Sequence, residues 1–309
     1  MALILRTDAA RADAWRAALE RQAPELDLRM WDEPGDITDI EFALVWKPAR
    51  GVLRGFPNLK AIFSIGAGVD HLFTDPELPA DVPVVRMVEP ELTRGMTEYV
   101  MLHVLRHHRR QREMEANQRA EKWEMIQVPT APARKVGIMG LGELGGASAR
   151  ALAGLEFDVA GWSRSPKEIP GVECFHGDFG LDAFLARTEI LVCLLPLTPE
   201  TEGILNADLF AKLPKGASLI NAARGGHQIE ADILTALESG QLSETTLDVF
   251  REEPLPAGHP LWRHPRVTVT PHNASLTDPI GAVKQVIANI ERIRRGEPPL
   301  NIVDPKAGY

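Results

Sequence analysis

One segment constrains this chain more than any other. Val136-Gly137-Ile138-Met139-Gly140-Leu141-Gly142-Glu143-Leu144-Gly145 is a short apolar strand that runs into GxGxxG. Each glycine in that spacing has a mechanical reason. Gly140 permits a tight turn, Gly142 lets the backbone approach a pyrophosphate, and Gly145 lets the following helix pack close to the strand. A helix starting near Glu143 presents N–H groups and a positive dipole end to phosphates. The glycines alone are weak evidence. A strand before them, the helical run Leu144–Leu155 after them and a second strand beyond make them a dinucleotide-binding fingerprint.

That second strand ends Ala160-Gly161-Trp162-Ser163-Arg164-Ser165. A site built for NAD places Asp or Glu here, on the ribose 2′-hydroxyl. This chain has Ser163, Arg164 and Ser165 instead, with Lys167 just beyond. A guanidinium binds a 2′-phosphate that a carboxylate would repel. The expected cofactor is therefore NADP(H), preferred over NAD(H).

Around this motif, short apolar runs alternate with amphipathic stretches, and there is no internal repeat. Strands are expected at Leu3–Arg6, Phe42–Trp46, Ala61–Ile65 and Val82–Met87. A second series is expected at Lys135–Met139, Asp158–Trp162, Ile190–Leu195, Ser218–Asn221, Thr245–Val249 and Val267–Thr270. Trp15, Ala18 and Leu19 share a face of a first helix capped by Thr7 or Asp8. A long helix is predicted over Thr93–Asn117, with Met96, Val100 and Val104 at helical spacing; its basic stretch His107–Arg112 reads as a solvated face. The last helix, Thr277–Arg295, carries Ile280, Val283, Ile287 and Ile290 on one stripe. Serial βα units imply parallel sheets covered on both faces. At roughly 150 residues per domain, 309 residues make two α/β domains. The Pro-rich segment Val128–Pro132 separates the halves, and a ligand cleft is expected where the domains meet.

Charge and cysteine usage narrow the partners. With Lys+Arg 34 and Asp+Glu 43, the net charge of −9 argues against nucleic acid and anionic membranes. Only Cys174 and Cys193 occur, so neither a disulfide framework nor a cysteine metal site is expected. Cys193, inside an apolar strand, reads as core packing. The opening Ala2–Leu5 run is too short for a signal-peptide core, and no run approaches a membrane span. The expectation is a cytoplasmic protein.

Three segments follow the later strands, at the ends where open α/β sheets place their chemistry. They are Asn221-Ala222-Ala223-Arg224-Gly225-Gly226, Leu247-Asp248-Val249-Phe250-Arg251-Glu252-Glu253-Pro254 and Thr270-Pro271-His272-Asn273-Ala274. Arg224 suits a carboxylate and a keto oxygen through its planar fork. His272, as imidazolium, can donate a proton to a developing alkoxide. Glu253, if close, favours that charged form and orients the ring. His227 reads as a surface residue rather than part of a site rim.

This ordered set resembles the D-2-hydroxyacid dehydrogenase family over essentially the whole chain. Ser64-Ile65-Gly66-Ala67-Gly68-Val69-Asp70-His71 and Leu195-Pro196-Leu197-Thr198-Pro199-Glu200-Thr201 support it. Ala43-Leu44-Val45-Trp46-Lys47-Pro48, Trp162–Ser165, Pro260–Val267 and the closing Ala307-Gly308-Tyr309 look like its glyoxylate/hydroxypyruvate reductase A branch.

The resemblance implies a Rossmann-type doubly wound domain, residues 98–276, binding NADP(H). A smaller flavodoxin-like substrate domain would comprise residues 1–97 and 277–309. It implies that His272 is the acid/base, Glu253 its partner and Arg224 the substrate anchor. Gly66, Ala67 and Gly68 would hold the substrate carboxylate through backbone N–H groups, which suits an anion nest, and Trp46 would close over the substrate. Asp248 and the Ala222 carbonyl would bind the nicotinamide carboxamide, and Leu195 and Pro196 would border the adenosine side. A homodimer is implied, acting on small 2-keto acids such as glyoxylate and hydroxypyruvate. Asn273 departs from the small or apolar residue of many relatives, which bears on pocket polarity. Two other readings fit the same motifs: a dehydrogenase for phosphoglycerate or a bulkier 2-keto acid, and a non-enzymatic dinucleotide sensor.

Overall fold

A computed structural model describes residues 2–305 and residue 308; Ala307 and Tyr309 of the closing triplet lie outside the described residues. The chain forms two compact units, Met1–Leu92 with Leu276–Tyr309, and Thr93–Ser275.

The first unit contains β1 (Ala2–Arg6), α1 (Ala9–Gln22), β2 (Asp27–Met30), β3 (Ile40–Val45), β4 (Ala61–Ser64), α2 (Asp70–Phe73), β5 (Val84–Val85) and the start of α3 (Pro90–His108). Its sheet is parallel, in the order β2-β1-β3-β4-β5. Trp15, Ala18 and Leu19 of α1 are buried against it, as their spacing requires. β2 has no apolar run to announce it, because Asp27 and Arg29 alternate with Leu28 and Met30 on an edge strand. The strand expected at Val82–Met87 shrinks to two residues. Pro83 has no N–H to give, and the Arg86 N–H turns to Asn301 O.

The second unit adds α4 (Gln111–Arg119), β6 (Lys135–Met139), α5 (Glu143–Gly154), β7 (Asp158–Ser163), β8 (Val172–His176), α6 (Gly177–Arg187), β9 (Ile190–Cys193), α7 (Ala207–Lys212), β10 (Ala217–Asn221), α8 (Glu230–Glu238), β11 (Leu242–Leu247), α9 (Pro260–Arg263) and β12 (Val267–Val269). Seven parallel strands run β12-β11-β10-β9-β6-β7-β8. The order reverses between β6 and β9, and such a switch point is where doubly wound sheets bind ligands.

Two expectations need correction here. The long helix is two, broken where Arg110 adopts φ +53°. The basic stretch is only partly a solvated face: Arg109 and Arg110 are exposed, but His107 and His108 are buried. His107 Nδ1 lies 2.8 Å from Glu244 Oε1 and its Nε2 lies 3.1 Å from Thr246 Oγ1. Arg112 donates to Pro265 O at 2.6 Å. α3 thus presents imidazoles to partners on β11, which a count of local charges does not register.

The chain then returns to the first unit with α10 (Pro279–Arg294), where the Asp278 carboxylate accepts from Gly281 N–H at 2.8 Å. Its buried face runs through Ala282, Val283, Val286 and Ile290. Ile280 falls beside that face and is exposed. Among the described residues, no helix is long and apolar enough to cross a membrane.

Candidate active site

The dinucleotide turn lies at the switch point of the second unit. Gly140 has φ +99°, and its N–H donates to Trp162 O at 2.8 Å. A Cβ there would stand 2.6 Å from Leu194 O, so the loops after β6 and β9 touch. At Gly145 a Cβ would stand 1.8 Å from Gly140 O: helix and strand are as close as only glycine allows. At Gly142 a Cβ would meet nothing within 4 Å. That open space lies at the N-terminus of the twelve-residue α5, with Leu141, Glu143 and Leu144 around it. The residues present therefore fit a bound pyrophosphate.

At the end of β7, Ser163 is buried and its hydroxyl donates to Ser165 O at 2.8 Å. Its proton is committed to the turn. Arg164 and Ser165 are exposed. The Arg164 charge reaches Glu200 across the turn, one of the causes, after the Thr198 hydrogen bond, that hold the Glu200 carboxyl below its usual range.

The loops after β9 and β10 are laced together. Leu194 N–H donates to Met139 O, and the buried Ala222 N–H to Cys193 O. The Pro196 carbonyl, next to Leu195, accepts from Thr201 Oγ1 at 2.7 Å. Cys193 is a core residue, its thiol pushed up to about 12 by burial. Asn221 Oδ1 accepts from Ala223 N–H, while its Nδ2 donates to Arg224 O at 3.1 Å and Gln228 Oε1 at 2.8 Å. The Arg224 guanidinium bonds to Ala223 O at 2.7 Å.

Arg224 and Glu253 sit on abutting loops. A Cβ on Gly225 would stand 1.9 Å from the Phe250 carbonyl, so the two backbones are in contact. Phe250 N–H donates to Glu253 Oε1 at 3.1 Å. Glu253 Oε2 lies 2.8 Å from His272 Nδ1. An N–H there donates to the carboxylate and leaves Nε2 as the outward nitrogen of a side chain that is 30% exposed.

Asp248 holds the loop that carries His272. Its Oδ1 accepts from Thr270 Oγ1 at 2.6 Å and Asn273 N–H at 3.0 Å, and its Oδ2 accepts from Ala274 N–H at 2.9 Å. Its backbone carbonyl takes the N–H of His272, whose φ is +52°. Because Thr270 gives its proton to Asp248, the Tyr99 hydroxyl must donate to Thr270, at 2.8 Å. Burial, and then the Asp248 charge, push the Tyr99 phenol up. The Asn273 side chain is exposed.

In the first unit, Gly66, Ala67 and Gly68 follow β4 and are half-buried. The Gly66 N–H points to Ser64 Oγ at 3.3 Å. Half-buried Trp46 lies over Gly66, 2.7 Å from where a Cβ would be, with the His71 ring at 4.7 Å on centroids.

Residues 101–274 match the family model described as D-isomer specific 2-hydroxyacid dehydrogenase, NAD binding domain. The chain belongs to the D-isomer specific 2-hydroxyacid dehydrogenases. It is 44% identical to a glyoxylate/hydroxypyruvate reductase A of Serratia proteamaculans over 96% of both chains. Among solved structures, a D-isomer specific 2-hydroxyacid dehydrogenase of Xanthobacter autotrophicus in complex with NADPH and MES superposes with a TM-score of 0.96. The two are 47% identical, covering 100% of this chain and 99% of that one. An NADPH-dependent glyoxylate/hydroxypyruvate reductase of Sinorhizobium meliloti in complex with NADP and sulfate gives 0.94, at 44% identity over 100% of both chains.

In this dehydrogenase, Asn221 and Thr270 open two of the segments read from the sequence, each as a polar residue at the end of a strand. Gln228 has no such signal: it lies beyond the Arg224 turn, where it bonds to Asn221 Nδ2 and to the Val249 carbonyl. His227 requires a correction: it is fully buried, not a surface residue. Its partners, Arg224 and Pro196, lie on two loops that folding brings together.

Proposed function

We propose that this dehydrogenase reduces small 2-keto acids with NADPH, glyoxylate to glycolate and hydroxypyruvate to glycerate. The observation that carries the reading is the 2.8 Å His272–Glu253 pair, set on a loop that abuts the one bearing Arg224. A guanidinium for an anion and a carboxylate-oriented imidazole for a proton are what reduction of a 2-keto acid needs.

Bound NADPH supplies the hydride. Leu141, Glu143 and Leu144 surround its pyrophosphate, while Gly140, Gly142 and Gly145 give it room. Arg164 and Ser165 would receive the 2′-phosphate, and Ser163 would hold their turn through its bond to Ser165 O. Leu195 and Pro196 border the adenosine, and Asp248 and the Ala222 carbonyl take the carboxamide. Arg224 binds the substrate carboxylate and polarises the keto oxygen. Ala67 and Gly68 add backbone donors, Gly66 sets their turn with its N–H held by Ser64 Oγ, and Trp46 shields the substrate. His272 donates its proton to the oxygen as the alcohol forms, and Glu253 orients the ring. The segments 1–97 and 277–309 serve the substrate, and 98–276 the dinucleotide.

We further propose a cytoplasmic homodimer. Leu102 and Leu105 of α3, with Trp123 and Met125 in the segment after α4, expose large apolar surface on the second unit. A second copy of this chain would cover it.

The test is loss of NADPH absorbance with a panel of 2-keto acids. Turnover of glyoxylate and hydroxypyruvate ahead of bulkier acids supports the reading, and a panel with no turnover refutes it.

A further inference from the structure

His227 is a fully buried imidazole with both ring nitrogens engaged. Its Nδ1 accepts the Arg224 backbone N–H at 3.2 Å. The Arg224 carbonyl lies 3.1 Å from the same nitrogen, but it already receives the His227 N–H and Asn221 Nδ2. An accepting Nδ1 puts the ring proton on Nε2, which lies 3.2 Å from Pro196 O and donates to it. The surrounding contacts hold the same two loops together. A Cβ on Gly226 would stand 2.9 Å from Leu197, and the His227 carbonyl accepts from Leu205 N–H at 2.8 Å.

We infer that His227 is a positioning residue, whose rigid ring fixes the separation between the loop carrying Arg224 and the loop carrying Pro196. This rests on the proposed reductase, in which Arg224 meets the substrate and Pro196 borders the cofactor. An apolar side chain in its place would leave the part-buried Arg224 N–H without its acceptor and Pro196 O without one donor. Asparagine can place an acceptor near Nδ1, and glutamine a donor near Nε2, but neither spans both.

That division gives the test, made on the whole 309-residue chain. His227→Gln keeps the donor to Pro196 and loses the acceptor for Arg224. It should raise the KM for glyoxylate about tenfold, the loss of one part-buried hydrogen bond, with kcat falling less and NADPH Kd within about twofold. His227→Asn should do the reverse, raising the NADPH Kd, read by quenching of protein fluorescence, with a smaller change in KM. Equal changes in both constants in both variants, or none in either at a temperature where the variants are folded, would overturn the inference. If the wild type turns over no 2-keto acid, the reductase reading fails on its own. The contrast in NADPH Kd between the two variants then decides the Pro196 arm, equal values overturning it. If neither variant folds, Thr201→Val removes the other donor to Pro196 O. A several-fold rise in NADPH Kd is expected there, and an unchanged Kd overturns the coupling.

Discussion

Glu253 holds the His272 ring from behind: Oε2 lies 2.8 Å from Nδ1, while Oε1 is fixed by the Phe250 N–H at 3.1 Å. A carboxylate so held orients the ring and keeps one nitrogen facing outward. Glu253→Gln removes the charge and keeps the shape. The kcat for glyoxylate should fall about tenfold, the difference between a charge-assisted and a neutral hydrogen bond, with NADPH Kd unchanged. An unchanged kcat would remove Glu253 from the mechanism.

Arg164 is exposed just after β7, at the position where an NAD site carries Asp or Glu. Arg164→Glu should lower kcat/KM for NADPH by about tenfold or more, as one charge-assisted contact is replaced by repulsion, and raise that for NADH. An unchanged ratio of the two would refute the 2′-phosphate assignment.

Gly142 and Gly145 predict opposite phenotypes. A Cβ at Gly142 meets nothing within 4 Å, whereas at Gly145 it would stand 1.8 Å from the Gly140 carbonyl. Gly142→Ala should leave Tm unchanged without cofactor and weaken NADPH binding, because its methyl enters the phosphate space. Gly145→Ala should cost about 3 kcal/mol of stability, the scale of overpacking against backbone. Equal melting temperatures for the two variants would contradict this account of the turn.

His103 gives a pH dependence of stability. Burial, then the neighbouring His107 and Arg106 charges, lower its pKa to about 4 from 6.5. The unfolded chain binds the proton first, so the stabilising effect of the neutral ring is present above pH 6.5 and is lost as pH falls toward 4. His103→Phe should lose less stability over that range, by on the order of 2 kcal/mol after allowance for solvent screening. Urea midpoints at pH 7 and pH 4.5 measure it; parallel declines in both proteins would contradict it.

The parts of this site that are legible in sequence are those set by backbone necessity or by residues near strand ends. The glycine turn is visible because only glycine fits it, and Arg224, Glu253 and His272 each follow an apolar strand. What is not legible depends on partners far along the chain. His107 meets Thr246 across 139 positions, so a basic run that looks solvated is partly buried. His227 meets Pro196 across 31. β2 and β8 are edge strands, and their mixed polarity hides them.

Proton donation by His272 is the step on which the proposed reduction depends. NADPH consumption with glyoxylate, measured beside NADPH affinity for wild type and His272→Gln, tests it. A fall in kcat of at least about a hundredfold is expected, the scale of general acid catalysis, with NADPH affinity unchanged. Undiminished turnover in the variant would contradict it.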